Sequence, residues 1–60
     1  MTYHVESGSL DVLLVAETAQ DAARHAVAQH DGPLGHLVIV TDDNGEEMYF
    51  PTSRLLADPL

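Results

Sequence analysis

Between Thr18 and His30 the chain carries its one long helical pattern, and apolar strand-like runs flank that stretch on both sides. Counting from Ala19, apolar side chains recur at Ala22, Ala23, Ala26 and Val27, the positions that share one face of a helix. That face is almost all alanine. An alanine stripe lets a helix approach a sheet closely but removes little area from water, so most of the apolar burial must come from strands. The pattern therefore restricts the fold to a helix laid on a sheet.

The flanking segments supply that sheet. Residues 2–7 alternate, with Tyr3 and Val5 on one side and Thr2, His4 and Glu6 on the other, the period of a half-buried strand. Ser7-Gly8-Ser9 makes a turn, and residues 10–16 form a second strand and a hairpin with the first. Leu10, Val12, Leu14 and Ala16 share one face, while Asp11, Leu13, Val15 and Glu17 occupy the other, so both faces have an apolar middle. The helix is predicted over residues 18–31. The Thr18 hydroxyl accepts from the Asp21 N–H, and the Asp21 carboxylate reaches back in a shortened capping box. Gly32-Pro33 ends the helix, with the glycine in a left-handed conformation and the proline blocking continuation.

Residues 36–41 read as a third strand in which Leu37, Val38, Ile39 and Val40 make both faces apolar. Asn44-Gly45 then predicts a type I′ hairpin turn, whose two central residues need positive φ. Residues 46–50 return as a fourth strand, and Pro51 stops its pairing or marks it as an edge. Thr52 or Ser53 caps a final helical turn, Arg54 to Ala57, that lays Leu55 and Leu56 on the sheet, after which Asp58-Pro59-Leu60 frays. The expected fold is a single α+β domain over residues 1–60, ordered β-β-α-β-β. Two hairpins form a four-stranded sheet with one helix packed on one face.

A 60-residue chain buries only about 60% of the surface its unfolded form exposes, so its core is marginal, and small domains commonly recruit disulfides, metal or a second subunit. The absence of cysteine removes disulfides and thiolate metal sites. Net charge is −8, from ten acidic residues against Arg24 and Arg54, with no lysine. Two cations are too few to displace counterions from a phosphate backbone, so direct DNA or RNA binding is not expected, and anionic membranes are disfavoured for the same reason. Met1-Thr2-Tyr3-His4 lacks the basic and apolar segments of a secretion signal, and no run reaches the length of a membrane span. The expectation is a complete, soluble, cytoplasmic chain.

Four histidines raise the question of a metal site. His25 and His30 are five apart, not the four that aims two imidazoles of a helix at one zinc ion. His4 lies on the polar side of the first strand and His36 opens the third, so no metal ligands are assigned. The acidic run Asp42 to Glu47 fails as a calcium loop: with Gly45 at the invariant glycine, the first ligand would be Val40 and the terminal bidentate acid Pro51. It reads instead as a solvated hairpin tip. No nucleophile elbow and no glycine-rich phosphate loop is present, and a chain this short has little room for a pocket of about 300 Å³ beside a core. The chain is read as a non-enzyme without cofactor; catalysis would need a site at a dimer interface where histidines and a carboxylate converge.

The segments YHVESGSL (residues 3–10), AETAQDAARHAV (16–27) and YFPTSRLL (49–56) resemble a group of short, uncharacterised bacterial proteins of the same β-β-α-β-β arrangement. That resemblance implies a fold and no activity. A looser likeness, carried by the threonine-led, alanine-rich helix, is to antitoxin domains of the HicB type, which usually place three strands before the helix where this chain offers two.

One helix covers only one face of a four-stranded sheet, yet alternation of apolar with polar residues fails in three of the four strands. Either a second molecule covers the other face, or Leu55, Leu56 and Leu60 fold over it in a monomer. The first is expected, as a twofold homodimer with Leu13, Val15, Val38, Val40 and Tyr49 as candidate interface residues. The leading functional expectation is a small acidic homo-oligomeric protein–protein interaction module. The alternative is a nucleic-acid mimic or antitoxin-like inhibitor of a basic protein, with carboxylates set along one face at phosphate spacing.

Overall fold

The structure is a computed structural model, and it describes residues 1–56, with the side chain of Leu56 outside that description. The chain folds in the order β1 (Thr2–Ser7), β2 (Leu10–Val15), α1 (Ala19–Gln29), β3 (Leu37–Thr41), β4 (Glu47–Pro51) and α2 (Thr52–Leu56). This is the α+β layout expected. The four strands form one antiparallel sheet in the order β2-β1-β3-β4, with α1 crossing over β1 to connect β2 to β3. No helix among the described residues is long and apolar enough to cross a membrane.

Register decides which side chains meet α1. Tyr3 lies opposite Leu14 and Val5 opposite Val12 and Val40, while Val38 and Val40 lie opposite Phe50 and Met48. These residues share one face, and Ala19, Ala22, Ala23, Ala26 and Val27 of α1 are buried against it. Ala22, Ala23, Val5, Val38 and Val40 are wholly inaccessible. The alanine stripe seats the helix on short β-branched side chains, and the larger Tyr3, Leu10 and Leu14 fill the flank toward β2. Leu55 of α2 joins this same core on the helix side, so it does not cover the opposite face. Thr52 is held there by its N–H to the His36 carbonyl at 3.0 Å and its hydroxyl to the Gly35 carbonyl at 2.7 Å. The remaining residues expected to close over the sheet or fray, Ala57 to Leu60 and the Leu56 side chain, lie outside the described residues.

Two turns differ from their sequence reading. Thr18 caps α1 as expected, accepting from Asp21 N–H at 3.1 Å, but the helix ends at Gln29 with His30 as an extended C-cap at φ −79° and ψ 137°. Gly32 is not a left-handed terminator. The two positive-φ glycines are Gly8 and Gly45, and the His30 N–H turns back to the Ala26 and Val27 carbonyls. In the second hairpin, Asp42 N–H donates to Glu46 O and Gly45 N–H to Asp42 O, leaving a three-residue loop with left-handed Gly45 at its end. Its driver is the Asp42 carboxylate, which accepts from the Asn44 and Glu46 N–H groups at 2.9 Å each and displaces the two-residue turn.

Candidate functional site: the open sheet face

The sheet's second face carries Asp11, Leu13 and Val15 from β2, Thr2, His4 and Glu6 from β1, Leu37, Ile39 and Thr41 from β3, and Glu47, Tyr49 and Pro51 from β4. Central β1 supplies a polar stripe. Apolar groups flank it: Leu13 is 71% exposed and Val15 74% on one side, Leu37 46% and Tyr49 55% on the other. Side chains of this size stand in water on a face that no described element covers.

Of the five candidate interface residues, Leu13, Val15 and Tyr49 are where sequence reasoning put them. Val38 and Val40 are not. Both are fully buried beneath α1, and Leu37 and Ile39 take the outer positions instead. The Leu37–Val40 run is apolar on both faces, so periodicity alone could not orient it. The hydrogen-bonded register of β3 with β1 does, placing Val40 opposite core Val5.

On the polar stripe, the His4 Nε2 and Asp11 Oδ1 atoms are 2.6 Å apart. His4 is raised above its ordinary pKa mainly by that hydrogen bond, with the charges of Asp11 and Glu6 adding to it and partial burial opposing. Glu6 sits directly opposite Asp11 in the strand register. Donor atoms of His4, Glu6 and Asp11 lie within 4.8 Å of one another, and this is the group among the described residues that could hold a metal ion. The sequence assigns His4 only to the polar side of the first strand; its neighbours here are Asp11 across the β1–β2 pair and Glu6 two residues along β1 itself. Toward β4, the Tyr49 hydroxyl donates to Glu47 at 2.8 Å, and the same bond raises the phenol's pKa.

A groove of about 330 Å³ runs along the helix-side flank of β2, between that strand and the last turns of α1. Leu10, Val12, Leu14 and Ala26 form its apolar wall, and His25, Gln29 and His30 its polar rim. His30 Nε2 lies 3.0 Å from the Ser9 hydroxyl, which ties the helix end to the β1–β2 turn. His25 and His30 thus border one groove despite their five-residue spacing, with no carboxylate among its lining residues. His36 is exposed immediately before β3 and is not among the groove's lining residues. Comparison with family models, curated proteins and solved structures returns no match for this chain.

Proposed function

We propose that the protein is a small acidic interaction module that works in the cytoplasm as a homodimer, by sheet packing or by pairing of edge strands, in which a second copy shelters apolar groups of the second sheet face. One observation carries this reading: Leu13, Val15, Leu37 and Tyr49 stand exposed on a face that α1 and Leu55 leave open, because both pack on the other side. Burying apolar area at roughly 25 cal/mol per Å² gives such a face a reason to associate, and a domain of this size gains proportionally more from a second subunit than a large one does. Of the acidic groups on the open face, Glu6 and Asp11 are cross-strand neighbours and Glu47 stands apart from them beyond Thr41, so they do not form a repeating row at phosphate spacing. That distribution supports self-association over nucleic-acid mimicry. Light scattering after size exclusion tests it. A mass of twice the 6.5 kDa chain at micromolar concentration is the expected result, and a sharp monomer up to about 100 µM overturns the reading.

A further inference from the structure

We infer that the second copy joins through β2, whose outer edge pairs antiparallel with β2 of its mate about a twofold axis at Leu13. This rests on the dimer reading above and specifies its seam. The direction of the backbone groups follows from one pair: Met1 N donates to Ala16 O and Ala16 N to Met1 O. In an antiparallel ladder hydrogen-bonded pairs alternate with open ones, so Leu10, Val12 and Leu14 turn their N–H and C=O groups toward β1. The groups of Asp11, Leu13 and Val15 therefore point away from the sheet, at an edge with no further strand in the described fold.

The two edges of the sheet are unequal. At β4 the same parity, set by Asp42 N–H to Glu46 O and Thr52 N–H to His36 O, turns Glu47, Tyr49 and Pro51 outward. Pro51 has no N–H and Glu47 is charged, two common defences of an edge strand. Strand β2 has no proline and no lysine, and its single charged residue is Asp11.

A second copy fits this edge by its own register. Centring the axis on Leu13 places Leu13 opposite its equivalent and Asp11 opposite Val15 of the second copy, so all three outward residues of each strand pair and no like charges face each other. Shifting the axis to either side leaves outward groups of β2 unpaired, and centring it on Asp11 opposes two carboxylates. On the helix side this register sets Val12 across from Leu14 of the second copy. Val12 is 38% exposed there, and the groove between β2 and α1 receives the pair. A standard interface needs roughly 800 Å² per partner, about a fifth of the 3996 Å² of this chain. Strand edges alone fall short of that area. The seam adds contact beyond them where Leu13 and Val15 of the two copies come together on one side of the sheet and the groove wall meets its mate on the other.

Single cysteines test the register in a chain that otherwise has none. With Leu13→Cys, the two α-carbons lie about 5.5 Å apart in a hydrogen-bonded pair, within disulfide range. With Val15→Cys, the equivalents sit four residues apart along the strand, about 13 Å, outside it. Mild oxidation of the full chain at micromolar concentration should convert most of the Leu13→Cys protein to a covalent dimer, with at least tenfold slower cross-linking of Val15→Cys and Tyr49→Cys. Leu13→Pro gives a second readout. The Leu13 N–H is not used within the sheet, so the variant should keep its circular dichroism spectrum yet weaken dimerisation at least tenfold. Should the chain dimerise while Cys at 49 cross-links faster than Cys at 13, the seam is overturned and the association stands, by face-to-face packing of sheets. A monomer that fails to cross-link at either position overturns both readings and leaves the β2 edge to a strand from another protein.

Discussion

His4 and Asp11 meet diagonally across the β1–β2 pair with 2.6 Å between Nε2 and Oδ1, on the side of the sheet away from the helix. Because the pair favours protonated His4, the histidine's folded pKa is above its unfolded value near 6.5. The sign follows from linkage: the stabilisation is fully present below about pH 6.5 and is lost as pH rises through the folded value. The pair is solvent-screened, so its contribution is about 0.5 kcal/mol or less. Thermal unfolding measured from pH 5.5 to 8.5 should show a loss of stability with rising pH that is smaller in Asp11→Asn. Imidazole titration by NMR should show the His4 pKa falling in the same variant. An unchanged His4 titration in Asp11→Asn would remove the ion pair from the account.

The β1–β2 turn and the loop before β3 are pressed together at one glycine. A Cβ on Gly8 would lie 2.6 Å from the Pro33 carbonyl oxygen and 2.9 Å from Gly35 N, and the residue sits at φ +56°. Ser9 fixes the approach, its N–H and hydroxyl both donating to that same Pro33 oxygen at 3.1 Å. Gly45 also has positive φ, at +86°, but a Cβ there meets nothing within 4 Å. Gly45→Ala should therefore cost only the conformational term, about 1 kcal/mol. Gly8→Ala adds a collision between backbones and should lose about 2–4 kcal/mol, the left-handed strain included. Chemical denaturation of the two variants compares them directly, and equal losses would contradict this contact.

Much of this architecture is written in periodicity. The alanine positions of α1 and the alternation in β1 each have one physical solution, and the structure adopts both. The Leu37–Val40 run has two, because either alternate pair is apolar and can face the helix. Only the pairing of Val40 with Val5, a contact between residues 35 apart, resolves it. Local competition explains the turns: Asn44-Gly45 favours a two-residue hairpin by propensity, and the Asp42 carboxylate overrides it with two hydrogen bonds. Leu13 and Val15 were legible because they share a face with Asp11 and Glu17 at the ends of the strand, and Tyr49 because it shares one with Glu47. The juxtaposition of His4, Glu6 and Asp11 was not, since it exists only once two strands are in register.

Ala22 and Ala23 are wholly buried where α1 crosses the sheet, facing a core built on Val5, Val38 and Val40. At such close approach there is no volume for a longer side chain without lifting the helix. Ala22→Leu should destabilise the fold by about 1–3 kcal/mol despite its added hydrophobicity. At exposed Ala28 the same change should be within about 0.5 kcal/mol of neutral. Urea midpoints for the two variants make the comparison. A stabilised Ala22→Leu protein would mean the helix–sheet gap is wider than the burial of these alanines implies.

One short polar network holds the loop before β3 against both β1 and α2. The Ser7 hydroxyl donates to Leu37 O at 2.7 Å and accepts from Gly35 N–H at 3.0 Å, while the Thr52 hydroxyl donates to Gly35 O at 2.7 Å. Ser7 and Thr52 are both buried, so water cannot readily replace what either provides. Ser7→Ala deprives two backbone groups of their partner and should cost about 2 kcal/mol; Thr52→Val deprives one and should cost about 1 kcal/mol. Because Gly35 sits between the two hydroxyls, the double variant should lose less or more than the sum, by about 0.5 kcal/mol or beyond. Hydrogen exchange at the Gly35 amide supplies a local check: its protection should fall in Ser7→Ala and change less in Thr52→Val, whose lost bond is to the carbonyl. Strict additivity together with unaltered Gly35 protection would show that the two hydroxyls act separately and that the loop is held by packing alone.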